Sequence, residues 1–391
     1  MPSDLQYDLV IVGGGLAGLS LACALRETRL KIALVEPLPA PARPEGWDVR
    51  VYAVTPANAG FLQRIGIWKH LDGTRIAPIH AMRVFGDAGA RLDFSAYESG
   101  LEELGWIVES SLMACELWEN AKRQGNVTVF RGVAPAALEV RPEAVALGLA
   151  DGRTLGAKLV VGADGRDSWV RGAAGLAAED RPYSEMGVVA NFACAKAHRH
   201  IARQWFRHDG VLAWLPLPGE RISMVWSTPD EHARTLLSLP EAALCSRVSA
   251  AGNDELGPLA LLTPPAAFPL RLLRVPQTIA PRLALIGDAA HGIHPLSGHG
   301  INLGFQDARA LAGLLAAAPE WQDLGGERLL ARYRRARKEE TVLMQTATHM
   351  LHELFHETLP GLGALRNAGL SLTNRLPWIK DLCVRYAVGA L

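Results

Sequence analysis

Apolar runs and the breaks between them divide the chain into recognisable units. Near the N-terminus "YDLVIV" is apolar and β-branched, "GGGLAG" interrupts it, and "LAGLSLACALRE" follows with apolar residues at helical spacing. A second apolar run, "KIALV", ends in Glu36. The pattern predicts strand, tight turn, helix and strand. It returns late in the chain, where "RLALIG" reads as a buried strand with Asp288 at its C-terminal end. There Ile301, Leu303, Leu311, Leu314 and Leu315 predict a helix over residues 301 to 317. Between these units, "MRVFGDAGARLDF" and residues 181 to 277 are rich in short strand patterns. "RYRRARKEE" (Arg332 to Glu340) reads as a solvated helix face, its acids following its bases.

Glycine gives the first turn its chemistry. Gly13, Gly15 and Gly18 form GxGxxG between a strand and a helix, with Glu36 about 20 residues further on. Gly13 allows the tight turn, Gly15 lets a pyrophosphate approach the backbone, and Gly18 lets helix and strand pack closely. The helix N-terminus offers unpaired amides to phosphate, and Glu36 offers its carboxylate to ribose hydroxyls. This is a dinucleotide fingerprint in its proper context, and it leaves NAD and FAD equally open.

The late strand bears on that choice. Ligands of open α/β sheets sit outside the carboxyl ends of strands, so Asp288 stands where it can bond a ligand hydroxyl such as those of a ribityl chain. Gly298 and Gly300 free the following loop to pass close under a flat ring, and Pro295 stiffens it. A helix N-terminus beyond that loop stabilises negative charge on a reduced flavin. The loop therefore suits a flavin.

Composition narrows the partners. The chain has 391 residues, 49% of them hydrophobic, enough for a sizeable core in one large or two ordinary domains. Forty basic residues balance forty acidic ones, which argues against nucleic acid as a partner. Five scattered cysteines without a CxxC pair argue against a disulfide framework and fit a reducing cytoplasm. Leu9 to Leu25 is uncharged over 17 residues, but it is short for a membrane span, and the acids Asp4 and Asp8 precede it where a signal peptide carries bases. From Pro360 to Leu391, Arg366, Arg375, Lys380 and Arg385 face one acid, Asp381, among leucines, alanines and aromatics. Such a tail suits an anionic membrane surface, a partner, or its own domain equally.

Histidines raise a metal alternative twice. His291, His294 and His299 are interrupted by glycines and a proline, and no cysteine or acid repeats a zinc spacing around them. "HELFH" (His352 to His356) is a literal HExxH, but no histidine follows it to serve as third ligand. The expectation is no metal site.

Three motifs in order carry a resemblance: GxGxxG with Glu36, "VGADGRDSWVR" with Asp164 and Gly165, and "GDAAHGIHPLSGHGINLGFQD". Together they resemble the single-component FAD-dependent aromatic-ring monooxygenases of the para-hydroxybenzoate hydroxylase-like superfamily. "DVRVYAVTPANAGFLQRIGIW", "GVLAWLPLPGERISMVWS" and the C-terminal "LPGLGALRNAGLSLTNRLPWIKDLCVRYAVGAL" narrow the likeness to the ubiquinone-biosynthesis hydroxylases, over nearly the whole chain.

That resemblance implies an α/β fold in which a Rossmann-like FAD domain (residues 1–80, 100–180 and 278–355) interleaves with a mostly antiparallel β-sheet substrate domain (81–99 and 181–277). A helical C-terminal segment (356–391) follows. It implies FAD contacts from Gly13, Gly15, Ala17, Gly18, Glu36, Gly287, Asp288, Pro295, Gly298, Gly300, Ile301 and Asn302. Arg50 is expected beside the flavin, Asp288 on the ribityl chain, Pro295 through Asn302 along the isoalloxazine, and Asp164 near the pyrophosphate and the approach of the nicotinamide donor. Arg50, Pro295 and His299 are flavin-flanking candidates, with no catalytic residue assigned. The family usually carries glutamine where this chain has His299, and a longer polar residue near Ser110.

The implied activity is hydroxylation of the aromatic ring of a polyprenylated phenol or quinone precursor through a C4a-hydroperoxyflavin. NADH or NADPH is the implied reductant and O2 the co-substrate. The partners it implies are a lipophilic aromatic substrate and, through the tail, the inner face of a membrane or a quinone-biosynthesis complex. The alternatives are a prenyl reductase or halogenase on the same scaffold, or a non-catalytic flavoprotein subunit. "VLAWLPLP" is expected to roof the site or to fill a sheet core.

Overall fold

In the computed structural model of the protein, residues 5–87, 89–292, 300–356, 367, 369 and 371–389 are described. The chain opens with β1 (Tyr7–Val12), α1 (Leu16–Ala24) and β2 (Ile32–Glu36), and the two strands run parallel with Leu9 opposite Ile32 and Val12 opposite Val35. All the apolar residues from Leu9 to Val12 are buried, because this strand is covered on both faces. Leu9 and Ile11 join one core with Ile32 and Leu34, while Val10, Val12, Ala33 and Val35 join the other. The uncharged Leu9–Leu25 run is thus explained by burial in the protein interior.

A small antiparallel sheet follows, with β3 (Val51–Val54) and β4 (Ala77–Ile79) both paired to β7 (Gly105–Glu109). α2 (Pro56–Arg64) leaves β3 directly, and β5 (Ala81–Phe85) and β6 (Arg91–Ser95) branch off into another sheet. α3 (Ser110–Lys122) returns the chain to β8 (Val127–Arg131), which extends the first sheet parallel to β2. The hairpin of β9 (Pro135–Val140) and β10 (Val145–Leu149) leads into β11 (Thr154–Gly162), parallel to β1 on its other side. α4 (Trp169–Ala173) closes this half.

The second large sheet contains β12 (Glu179–Cys194), β13 (Ile201–Arg207), β14 (Gly210–Leu217) and β15 (Arg221–Pro229), then α5 (Asp230–Ser238) and α6 (Glu241–Ala251) over one face. β16 (Leu259–Leu261) and β17 (Ala266–Arg274) pair with β12, and all pairings in this sheet are antiparallel except β5 with β13. Strand alternation splits "VLAWLPLP" between the two faces. Leu212 and Trp214 fill the core beneath α5 and α6, whereas Leu215 faces Val51 and Ala53 of the small sheet. At Gly252 a Cβ would lie 2.1 Å from the Trp214 ring, so the end of α6 rests on that ring.

The chain then re-enters the first sheet through β18 (Ile279–Ala280) and β19 (Leu283–Leu285), the latter parallel to β11. A short β20 (His291–Gly292) pairs with β17, so this segment bridges the two large sheets. α7 (Gly300–Ala316) packs on α1, and α8 (Glu327–His356) packs on α7. Phe305, Ala308, Leu311 and Leu315 of α7 share one core with Leu19, Leu21 and Tyr333. Each such aliphatic side chain contributes about 1.5–3 kcal/mol by leaving water.

α9 (Pro377–Val388) packs against residues 97–99 beside β6. Lys380 Nζ meets Glu98 Oε2 at 3.0 Å, Asn374 Oδ1 accepts from Asp93 N at 3.1 Å, and Val384 is buried. The tail therefore docks on its own second sheet. No helix among the described residues is long and apolar enough to cross a membrane.

Candidate cofactor site

Two glycine turns meet at the carboxyl ends of the parallel strands. In the first, Gly13 takes φ +110°, donates to Val35 O at 2.8 Å, and lies so close to the end of β11 that a Cβ would sit 2.3 Å from Ala163 O. Gly18 is equally constrained, since a Cβ there would lie 2.1 Å from Gly13 O. Gly15 differs: nothing stands within 4 Å of where its side chain would begin. It caps α1 without any side-chain acceptor, so the first amides of the helix remain available to a phosphate. The Glu36 carboxylate is held beside them, Oε2 accepting from Gly14 N at 2.5 Å and Oε1 from Leu38 N at 2.7 Å.

The second turn follows β19. Gly287 adopts φ +59° and Asp288, next in line, is exposed. The turns touch through small residues: a Cβ at Gly287 would lie 3.0 Å from Ala17 Cβ, and one at Gly304 would lie 3.4 Å from it. Ala17 therefore acts in packing, letting α1, the Gly287 turn and α7 converge on one crevice. Gly300 opens α7 with free space around its Cα, and Ile301 is half-buried.

Asn302 is 2% exposed, and its side chain is committed to the protein. Oδ1 accepts from Thr55 N at 3.1 Å and Asn58 Nδ2 at 2.9 Å, and Nδ2 donates to Ala53 O at 2.7 Å. It ties the start of α7 to the junction of β3 and α2. Pro295, Gly298 and His299, together with His294, lie outside the described residues, as do the side chains of His352 and His356.

Arg50 is exposed on the segment leading into β3. Its backbone is fixed by Asp48, whose Oδ1 accepts from Arg50 N at 2.9 Å and Oδ2 from Ser111 N at 2.8 Å. Asn191 Nδ2 of β12 donates to Asp48 O at 2.9 Å, so the second sheet supports the same segment. Burial pushes the Tyr52 phenol up, with the Arg50 charge opposing and the Asp288 charge adding to the rise. Both charges thus bear on the Tyr52 hydroxyl, one from the segment before β3 and one from the turn after β19.

Asp164 backs the Gly13 turn with its backbone while its carboxylate turns away. Oδ1 accepts from Ser168 Oγ at 2.5 Å and Oδ2 from Val170 N at 3.0 Å, which organises the start of α4.

Sequence reasoning missed the groups beneath the second turn. Asp307 of α7 is 1% exposed and meets His291 Nε2 at 2.6 Å and Arg337 Nε at 2.7 Å. Arg337 and Tyr333 belong to "RYRRARKEE", and both are buried, so that stretch is a solvated face only in part. The available signal was the row Leu330, Tyr333, Arg337, which places Arg337 on the apolar side of α8. Burial alone would lower His291, but the Asp307 carboxylate prevails and raises it; burial would raise Asp307, yet His291 and Arg337 hold it below the ordinary carboxylate value. Among the described residues no group of His, Cys, Asp or Glu is disposed to hold a metal ion.

These residues fit a flavin dinucleotide. Gly15 leaves the space that a pyrophosphate requires, uncapped α1 amides face it, Glu36 stands ready for ribose, and Asp288 is exposed at the adjoining strand end. The model of the FAD binding domain family matches residues 6–347. Ubiquinone hydroxylase UbiL of Rhodospirillum rubrum is 33% identical over 391 residues, covering 100% of this chain and 91% of the relative. The 3-demethoxyubiquinol 3-hydroxylase of Escherichia coli is 32% identical over 390 residues, covering 98% of each. The crystal structure of PqsL, a probable FAD-dependent monooxygenase from Pseudomonas aeruginosa, superposes with a TM-score of 0.77 at 25% identity, covering 93% of this chain and 99% of that one. By its crevice, its matched length and its full-length relatives, the chain belongs to the FAD binding domain family, in the branch that holds the ubiquinone-biosynthesis hydroxylases.

Proposed function

We propose that this protein is an FAD-dependent monooxygenase that hydroxylates the aromatic ring of a polyprenylated phenol or quinone precursor in ubiquinone biosynthesis. The observation that carries this reading is the convergence of the Gly13–Glu36 turn and the Gly287–Asp288 turn, through Ala17, on one crevice beside the second sheet. When bound, FAD would supply the redox chemistry by which NADH or NADPH and O2 give a hydroxylated ring and water. The chain positions and shelters. Gly15 and the α1 amides take the pyrophosphate, Glu36 the ribose, Asp288 the ribityl hydroxyls, and Arg50 flanks the ring.

The substrate lies against the joined edge of β3 and the second sheet, where the half-buried Val51, Ala53, Met82 and Leu215 pack into an apolar wall suited to a prenylated ring and to exclusion of water. The relatives' printed names support the substrate class. The tail supports contact with a membrane: α9 docks on residues 97–99 but leaves Trp378 68% and Leu382 53% exposed, one helical turn apart, with Tyr97 92% exposed beside them.

Product analysis under 18O2, with purified protein, NADH or NADPH and a prenylated phenol, tests the reading. One labelled oxygen atom per ring is expected. FAD held with no donor oxidation in the presence of any quinone precursor, alone or with partner proteins, overturns it in favour of a non-catalytic flavoprotein.

A further inference from the structure

Asp307 is buried within α7, and both its carboxylate oxygens are committed. Oδ1 accepts from Arg337 Nε at 2.7 Å. Oδ2 accepts from Gly287 N at 2.9 Å and meets His291 Nε2 at 2.6 Å. Arg337 also donates to Gln306 Oε1 at 3.0 Å and pairs with Glu340. Burying these charges carries a desolvation cost that an apolar side chain in a core with Phe305 and Leu311 would avoid. The cluster therefore asks for a reason beyond packing.

The bonds of Oδ2 supply one. They tie residue 287 by its backbone and residue 291 by its side chain to the same atom, and so pin both ends of a short arc. Within the arc Ala289 and Ala290 are buried, Ala290 N donates to Gly287 O at 2.8 Å, and Arg171 donates to Ala289 O at 3.0 Å. Asp288 is the exposed residue of the arc. Everything that holds the turn leaves that one carboxylate facing the crevice.

We propose that Asp307, clamped by His291 and Arg337, is a positioning residue for FAD: it holds the Gly287 amide and thereby fixes the turn that presents Asp288 to the ribityl hydroxyls. The proposal rests on the reading of Asp288 as the ribityl ligand. His291 with its proton on Nε2 and the Gly287 amide are then the two donors to Oδ2. The charged groups that bear on His291 are Asp307 from α7, Arg337 from α8 and Asp288 from the turn.

ADP, which reaches only the Gly13–Glu36 cradle, separates positioning from general loss of structure. Dissociation constants of FAD and ADP are measured on the deflavinated full-length protein by fluorescence and calorimetry. In D307N the amide NH2 must face either Arg337 or both Gly287 N and His291, so FAD affinity is expected to fall about tenfold or more while ADP affinity changes by less than about twofold. D288N is expected to show the same selective loss, and D288N/D307N no more than either single variant, because both act through one contact. H291Q keeps an N–H donor and the fold. It is expected to weaken FAD by about threefold with ADP unchanged, and so provides the test if D307N does not fold. Equal losses for FAD and ADP, additive losses in the double variant, or wild-type FAD affinity in H291Q overturn the proposal. D288N with weak FAD binding beside an unaffected D307N overturns it alone, whereas wild-type FAD affinity in D288N overturns the ribityl reading and the proposal together.

Discussion

Glycines of one motif do different work, and single substitutions separate the roles. Gly13 and Gly18 are demanded by the fold, because their missing side chains would strike Ala163 O and Gly13 O. Gly15 is demanded by the ligand, because its side chain would enter open space. Gly18→Ala is expected to cost about 1–3 kcal/mol by overpacking, read as a lower melting temperature. With both proteins free of FAD, Gly15→Val is expected to melt within about 1 °C of wild type, a difference under about 1 kcal/mol, while failing to bind FAD; a Gly15→Val protein destabilised in that comparison contradicts the division. His291 and Asp307 define a second residue-scale expectation. Because the folded value of His291 is raised above 6.5, its contribution to stability is complete below pH 6.5 and is lost as pH rises through the folded value. Because that of Asp307 is lowered below 3.8, its contribution persists above pH 3.8 and is lost as pH falls through the folded value. Melting temperatures followed upward from pH 6.5 should decline for wild type and stay flatter for H291Q, and parallel profiles refute the pairing.

Among the elements, those with strong local periodicity were legible in the sequence: β1, α1, β2, β19 and α7 stand where the alternation and the helical spacing put them. α8 shows where that legibility ends. Its charged stretch reads as solvated because bases outnumber apolar residues, yet burial of Arg337 was decided by Asp307, 30 residues earlier, which offers it a buried carboxylate. Of the alternatives that its composition left open, the tail takes packing on its own domain. α9 packs on residues 97–99 through Lys380 and Val384 and still exposes Trp378 and Leu382. Trp378→Ala/Leu382→Ala is therefore expected to keep the melting temperature, since neither side chain is buried, and to lower co-flotation with anionic vesicles several-fold by removing apolar surface. Unchanged flotation removes the membrane assignment from α9.

At the scale of the molecule, one crevice is assembled from described segments far apart in the chain: residues 13–18, 36, 50–52, 287–292 and 300–302. The two strand–turn–helix units, the glycines and acids within them, and the α/β class with a second antiparallel sheet could all be read from the sequence, because each rests on spacing of a few residues and on backbone conformations that particular residue types permit. How these units are held together could not. That Ala17 is the contact between the two turns, that Asn302 bonds to β3 and α2 instead of standing free, that the Asp164 carboxylate turns into α4, and that Asp307 pins both ends of the Asp288 arc are results of tertiary packing. The physical reason is one of range. Propensity, turn chemistry and amphipathic period are local properties of a chain, whereas the cost of burying a charge depends on which partners the completed fold brings within 3 Å of it.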